Sequence, residues 1–349
     1  LAYILHENQG LDAESSRIGT AKGDTSAAAA APQKRPRREL SPEQRRLQGL
    51  SALRRDGPGL RQLAGHLALI LAGGALVLAA RGSPWVVPAM LPLGAGLVFL
   101  FCPLHETSHR SAFRDRRLNA AVAWFGGAVL LMPPTWFRHY HMAHHRWTQD
   151  PERDPELAHP KPRTPAGWAW HVSGLPLWGS LVASLFRMAA GRADFAYLPE
   201  RDRAKVVAEA RMLLAVYAAV ALLAVLTPSW LPVLLWIGPV VLAQPLLRLF
   251  LLAEHAGCPQ VPDMFANTRT TLTNRAMRAL CWNMNFHTEH HAYPSVPFHA
   301  LPEAHALLRP RLQVTAPGYG AANREILRGL RAAQPHPAHR APPPPRAAS

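Results

Sequence analysis

Charged residues are spaced unevenly along this chain, and the gaps between them predict its elements. Residues 62–80 run for 19 positions between Arg61 and Arg81 without Asp, Glu, Lys or Arg, and residues 82–104 run for 23 more before His105. Since roughly 20 apolar helical residues cross a bilayer core, each run predicts one span. The uncharged run 212–247 has 36 residues, too long for one helix in a ~30 Å core at about 1.5 Å per residue. It must fold back. Thr227-Pro228-Ser229 is the turn, because Pro ends the preceding helix and Ser suits the next N-cap. Four spans follow, at residues 62–80, 84–104, 212–227 and 229–252, in two hairpins. Two more uncharged runs are predicted not to cross. Residues 118–137 are interrupted by Gly126-Gly127 and Pro133-Pro134 and are flanked by arginines at both ends, the mark of a re-entrant or interfacial segment. Residues 165–186, with Trp168, Trp170 and Trp178, read as one interfacial helix.

The flanks differ from this middle. Residues 1–60, with an alanine run at 27–31 and the basic run 34–38, read as a disordered tail, and residues 332–349 as a second tail rich in Pro and Ala. The region between, 61–331, reads as one membrane domain. No apolar stretch followed by a small-residue cleavage site opens the chain, so no signal peptide is expected.

Composition agrees with a membrane. Only 17% of the 349 residues are charged, against about 25% in soluble proteins. The formal charge of +16 would suit nucleic acid, but its distribution points elsewhere. Lys and Arg number 11 through Arg61, 15 in residues 105–211 and 10 in residues 253–349, which leaves Arg248 and Arg81, of which Arg81 alone falls in a loop on the far side. The positive-inside rule then places both termini and the long central segment in the cytoplasm. Cys102, Cys258 and Cys281 have no paired spacing, which excludes a disulfide framework, an iron–sulfur cluster and a thiolate zinc site.

The chemistry lies in the histidines. His105 and His109 follow the second span, His141, His144 and His145 follow the re-entrant run, and His287, His290 and His291 lie beyond the fourth span. Positions i and i+4 share a helix face, so His105 and His109 can converge. In H-x-x-H-H the first His shares a face with both later ones, which are themselves turned about 100° apart and can reach different ions. Eight imidazoles exceed one tetrahedral zinc and suit two ions with positions left open, a dinuclear iron site being the economical solution. His139 points to another face and is left out. Imidazoles that bind metal usually pass their other N–H to a carboxylate or carbonyl, for which Glu106, Asp150, Asp154, Glu254 and Glu289 are the candidates.

HETSH and HMAHH between two apolar hairpins, with HTEHH beyond the second, resemble the three histidine boxes of the membrane fatty acid desaturase superfamily, which also includes hydroxylases and carotenoid oxygenases. The surrounding runs at 138–157 and 283–302 are similar to those of bacterial acyl-lipid desaturases. The resemblance implies an all-α integral-membrane fold with a cytoplasmic helical cap holding a diiron site. It also implies an inner-membrane location, a lipid or acyl substrate, O2 as co-substrate, and electrons from a separate ferredoxin- or cytochrome b5-type protein. Members carry a further ligand near the end of the fourth span, where His255 stands. Two other outcomes stay open: hydroxylation or ketolation at the same centre, and a membrane zinc protease, since His105-Glu106-x-x-His109 also matches H-E-x-x-H. The protease leaves both H-x-x-H-H clusters unexplained.

Overall fold

The computed structural model of the protein describes residues 41–158 and 161–332. Of the two expected tails, residues 1–40 and 333–349 lie outside the described residues, and the expected first tail, 1–60, contains ordered helix from residue 42. Helix α1 (Pro42–Ser51) falls inside it. Ser41 and Gln44 form a reciprocal cap, each side chain accepting the other's backbone N–H, and Leu47 and Leu50 bury the inner face. Neighbouring Arg45 and Arg46 mask this short apolar stripe when the segment is judged by composition.

Among the described residues, four helical segments are long and apolar enough to cross a membrane: Asp56–Ala79, Val86–Ser108, Glu200–Leu226 and Val233–His255. The first is α2. The second is α3 (Val86–Val98) followed, after a short break, by α4 (Phe101–Ser108). The third, α9, starts at Glu200 rather than at residue 212, because its polar first turns continue the same helix. The fourth begins as a π-helical turn (Val233–Ile237) and continues as α10 (Gly238–His255), with Ser229 Oγ accepting from Leu231 N in the turn before it. Leu71, Trp85, Val225 and Leu226 are 71–75% exposed, apolar surface that matches lipid rather than water. Small residues let these helices approach closely. A methyl carbon added at Gly73 would lie 2.7 Å from Leu93 Cα, and one at Gly94 would lie 2.1 Å from the Pro239 carbonyl oxygen. Thus α2 packs on α3, and α3 on α10, whereas α9 packs on α6 and α8. The arms of the expected second hairpin therefore take different partners.

The two runs expected not to cross are bent pairs, and the candidate spans number six if each pair is counted as one. α5 (Arg116–Leu130) is capped by Asp115, stops at Leu131 in the left-handed region (φ 61°), and gives way at Pro133-Pro134 to α6 (Pro134–Trp147), turned by 94°. The single interfacial helix expected at 165–186 is instead α7 (Pro165–Val172) and α8 (Leu175–Ala189), bent by 54° at Gly174 (φ 75°).

Beyond α10 the chain forms short helices: α11 (Met264–Asn267), α12 (Arg275–Leu280), α13 (His287–Ala292), α14 (Leu301–Leu308) and α15 (Tyr319–Ala332). One two-residue ladder accompanies these helices without changing the mostly helical class. β1 (Thr270–Thr271) pairs in parallel with β2 (Thr315–Ala316). This small ladder brackets α13: Thr271 N donates to Asn285 O, and Thr270 Oγ1 donates to Glu289 Oε2.

Candidate metal centre

Two of the apolar segments end where the histidines gather. α4 carries His105 and is closed by His109 as its C-cap, and His255 is the last residue of α10. The fully buried Arg269 fixes the second end, its guanidinium donating to the Ala253 and Ala256 carbonyls, which the helix leaves unpaired. α6 brings His141, His144 and His145, and α13 brings His287, His290 and His291.

These nine imidazoles sort into two adjacent groups. His105, His109, His141, His145 and His290 offer ligand atoms that all lie within 4.8 Å of one another, and so do His144, His255 and His291. His287 joins the second group, with its Nε2 3.1 Å from those of both His255 and His291. His144 and His145, adjacent in sequence, fall in different groups, as do His290 and His291, as the ~100° turn per helical residue requires. His139 stays apart, its Nε2 2.9 Å from Asp202 Oδ2.

Hydrogen bonding assigns the tautomers in the second group. His144 Nδ1 lies 2.9 Å from Asp154 Oδ1, His255 Nδ1 lies 3.2 Å from the Asn267 carbonyl, and His291 Nδ1 lies 3.1 Å from Thr148 Oγ1. The Thr148 hydroxyl already donates to the His144 carbonyl, so toward His291 it can only accept. His287 Nδ1 faces Glu254 Oε1 at 3.4 Å. That contact is no hydrogen bond, so the proton is assigned to Nδ1 in His144, His255 and His291, whose Nε2 atoms each lie 3.1–3.2 Å from another ring's Nε2. Lone pairs converging in this way repel unless a cation lies between them. Ligands at right angles on an ion with bonds of about 2.1 Å would be separated by about 3 Å.

In the first group, Nε2 of His109 is 2.8 Å from that of His141 and 3.1 Å from that of His290. Both nitrogens of buried His105 and the Nδ1 atoms of His145 and His290 have no hydrogen-bond partner among the described residues. Burial, and then the neighbouring imidazoles, hold His109, His141, His145, His287 and His291 well below the usual imidazole range, and burial pushes His290 down to about 3. Neutral rings are what metal binding needs. His144 is shifted up instead, because Glu156 and Asp154 together outweigh its burial.

The five candidate carboxylates divide. Asp154 and Glu254 face imidazoles, as above. Asp150 does not: it accepts from the Glu152 and Arg153 amides and the Arg153 guanidinium, and closes its own exposed loop. Glu106 turns away from the rings, since it follows His105 by one residue, and its Oε1 accepts from Phe298 N at 3.0 Å. Glu289 meets His305 and Thr270 rather than a box histidine. Sequence reasoning missed Thr148 and the Asn267 carbonyl, which announce themselves by no motif. It also missed Glu156, whose Oε1 lies 3.8 Å from His144 Nε2; its signal was the repeated Asp-Pro-Glu of residues 150–156.

Comparison with known proteins identifies the family. A dihydrorhizobitoxine desaturase of Bradyrhizobium elkanii is 27% identical over 256 residues, covering 67% of this chain and 70% of the relative. The family model described as fatty acid desaturase matches residues 41–322, taking in every helix from α1 to α14 and all nine clustered histidines. The chain therefore belongs to the fatty acid desaturase family.

Proposed function

We propose that this protein is an integral-membrane diiron desaturase that introduces a double bond into a fatty acyl chain, using O2 and electrons from a separate ferredoxin- or cytochrome b5-type protein. The observation that carries the reading is the convergence of nine buried or half-buried imidazoles in two adjacent groups. His105, His109, His141, His145 and His290 are the proposed ligands of one ion, and His144, His255, His287 and His291 of the other. When bound, the irons supply the activation of dioxygen and the attack on an unactivated C–H bond. The chain's own part is orientation: Asp154, Thr148 and the Asn267 carbonyl keep His144, His291 and His255 in the tautomer that presents Nε2.

The second and fourth spans both end at the site, so it lies at one membrane face under a cap of short helices. The charge distribution supports the cytoplasmic face of a bacterial inner membrane. A cavity of about 190 Å³ has Leu104, Ala123 and Trp124 in its wall, with Arg110, Arg116 and Lys205 among its exposed lining and Glu209 buried beside them. That pairing suits an amphipathic substrate with an anionic head. The desaturase name of the relative supports dehydrogenation over hydroxylation. Against the zinc protease stands Glu106, which would have to act as general base yet points to the Phe298 amide. Incubation of the purified protein in lipid with acyl substrates, O2 and a reducing system tests the reading. An olefinic product is expected; a hydroxylated product or peptide cleavage would replace it.

A further inference from the structure

The cavity along α5 is lined by four cations, Arg110, Arg116, Arg138 and Lys205, against a single carboxylate, Glu209. That carboxylate is already engaged. Thr135 donates to it through its backbone N–H at 2.8 Å and its hydroxyl at 2.6 Å, and Lys205 Nζ lies 4.0 Å away. The three arginines are left without a counter-charge, for none of their guanidiniums has an ion pair or a hydrogen bond among the described residues. Exposed Arg110 and Arg116 can turn to water, but Arg138 is half-buried and its Nη1 is shut off from solvent. Arg110 is also close enough to work against its charge. A guanidinium that loses water beside a second one is stabilised when an anion meets both. A second polar atom waits in the same lining. The Asn119 amide nitrogen donates to the Phe113 and Asp115 carbonyls, and its Oδ1 is buried without a donor.

We infer that this cavity binds a phosphate group carried by a membrane phospholipid, with Arg138 as the residue that anchors it. A carboxylate would neutralise one of the cations, whereas several arginine forks in one place match the oxygens of a phosphate. Free phosphate shares that chemistry. Two features favour the lipid: Leu104, Ala120, Ala123 and Trp124 give the cavity an apolar wall, and a glycerol hydroxyl beside the phosphate supplies the donor that Asn119 Oδ1 lacks. The inference deepens the proposed amphipathic substrate by naming its anionic head, and to that extent rests on that reading.

The test follows binding to the purified full chain by native mass spectrometry, with dihexanoyl phosphatidylglycerol, dihexanoyl phosphatidylcholine and inorganic phosphate as probes. One phosphatidylglycerol should bind per chain in preference to phosphatidylcholine, whose choline would put a cation among the arginines. Arg138→Gln should weaken that binding by about 10–100-fold, the scale of a lost charge-assisted hydrogen bond, with phosphatidylcholine binding and the melting temperature unchanged. Arg138→Lys keeps the charge without the fork and should recover part of the loss. Arg116→Gln, exposed and harmless to the fold, should cost about 2–5-fold. Arg81→Gln, beyond the opposite end of α2 from the Asp56 contact with Asp115, should cost nothing. Equal retention of the two lipids, or unchanged binding in both Arg138→Gln and Arg116→Gln, overturns the phosphate site. Inorganic phosphate that binds as tightly as phosphatidylglycerol and displaces it overturns the lipid as its source. No turnover enters the measurement, so each of these failures leaves the diiron desaturase reading standing, and a missing olefinic product leaves the phosphate site standing.

Discussion

The two imidazole groups occupy the same few ångströms and are built in opposite ways. In the group of His144, His255, His287 and His291, three rings have an Nδ1 hydrogen bond, to Asp154, the Asn267 carbonyl and Thr148, while His287 Nδ1 stands 3.4 Å from Glu254 without one. In the group of His105, His109, His141, His145 and His290, three rings leave an Nδ1 without any partner among the described residues. The first arrangement is oriented by hydrogen bonds before an ion arrives. The second is held by helix geometry and ring packing, such as His105 against His141 with centroids 4.1 Å apart. Loss of an outer partner should therefore matter for one group and have no counterpart in the other.

The largest effect comes from the rings themselves. His290→Ala and His291→Ala should each abolish oxidation and cut bound iron from about two to about one per chain, while both variants still insert, because insertion depends on the apolar spans. Metal analysis of membrane-extracted protein checks this, and retained turnover in both would show the rings to be structural. Asp154→Asn comes next. It should weaken metal binding by roughly 10–100-fold, confined to the His144 group; equal loss from both groups would erase the contrast. Glu106→Gln should retain O2-dependent lipid oxidation, since its carboxylate meets the Phe298 amide and no ring, and its loss should stay below the Asp154→Asn effect in the same assay. Asp150→Asn should be smallest. Its carboxylate serves an exposed loop, so iron content should not change and stability should shift by no more than about 0.5 kcal/mol.

The sequence by itself determined the four apolar segments, the break at Pro133-Pro134, the eight box histidines and the separation of adjacent box histidines into different groups. Each of these follows from local periodicity: a bilayer sets the length of an uncharged run, and the α-helix sets which of three nearby histidines share a face. The resemblance added His255, which has no neighbouring histidine to mark it. Helix α1 escaped because its apolar stripe is only Leu47 and Leu50 among charges. Only the tertiary structure decided which carboxylates serve the centre. Asp150 and Asp154 are equally acidic and four residues apart, yet one caps its own loop and the other holds His144, because the buried partner lies on a helix that the loop folds back against. The same long-range contacts bring the Asn267 carbonyl to His255 and Glu289 to His305. The reason is one of range. Periodicity carries information over a few helical turns, whereas a hydrogen bond between residues far apart in the chain depends on how α6, α10 and α13 pack together.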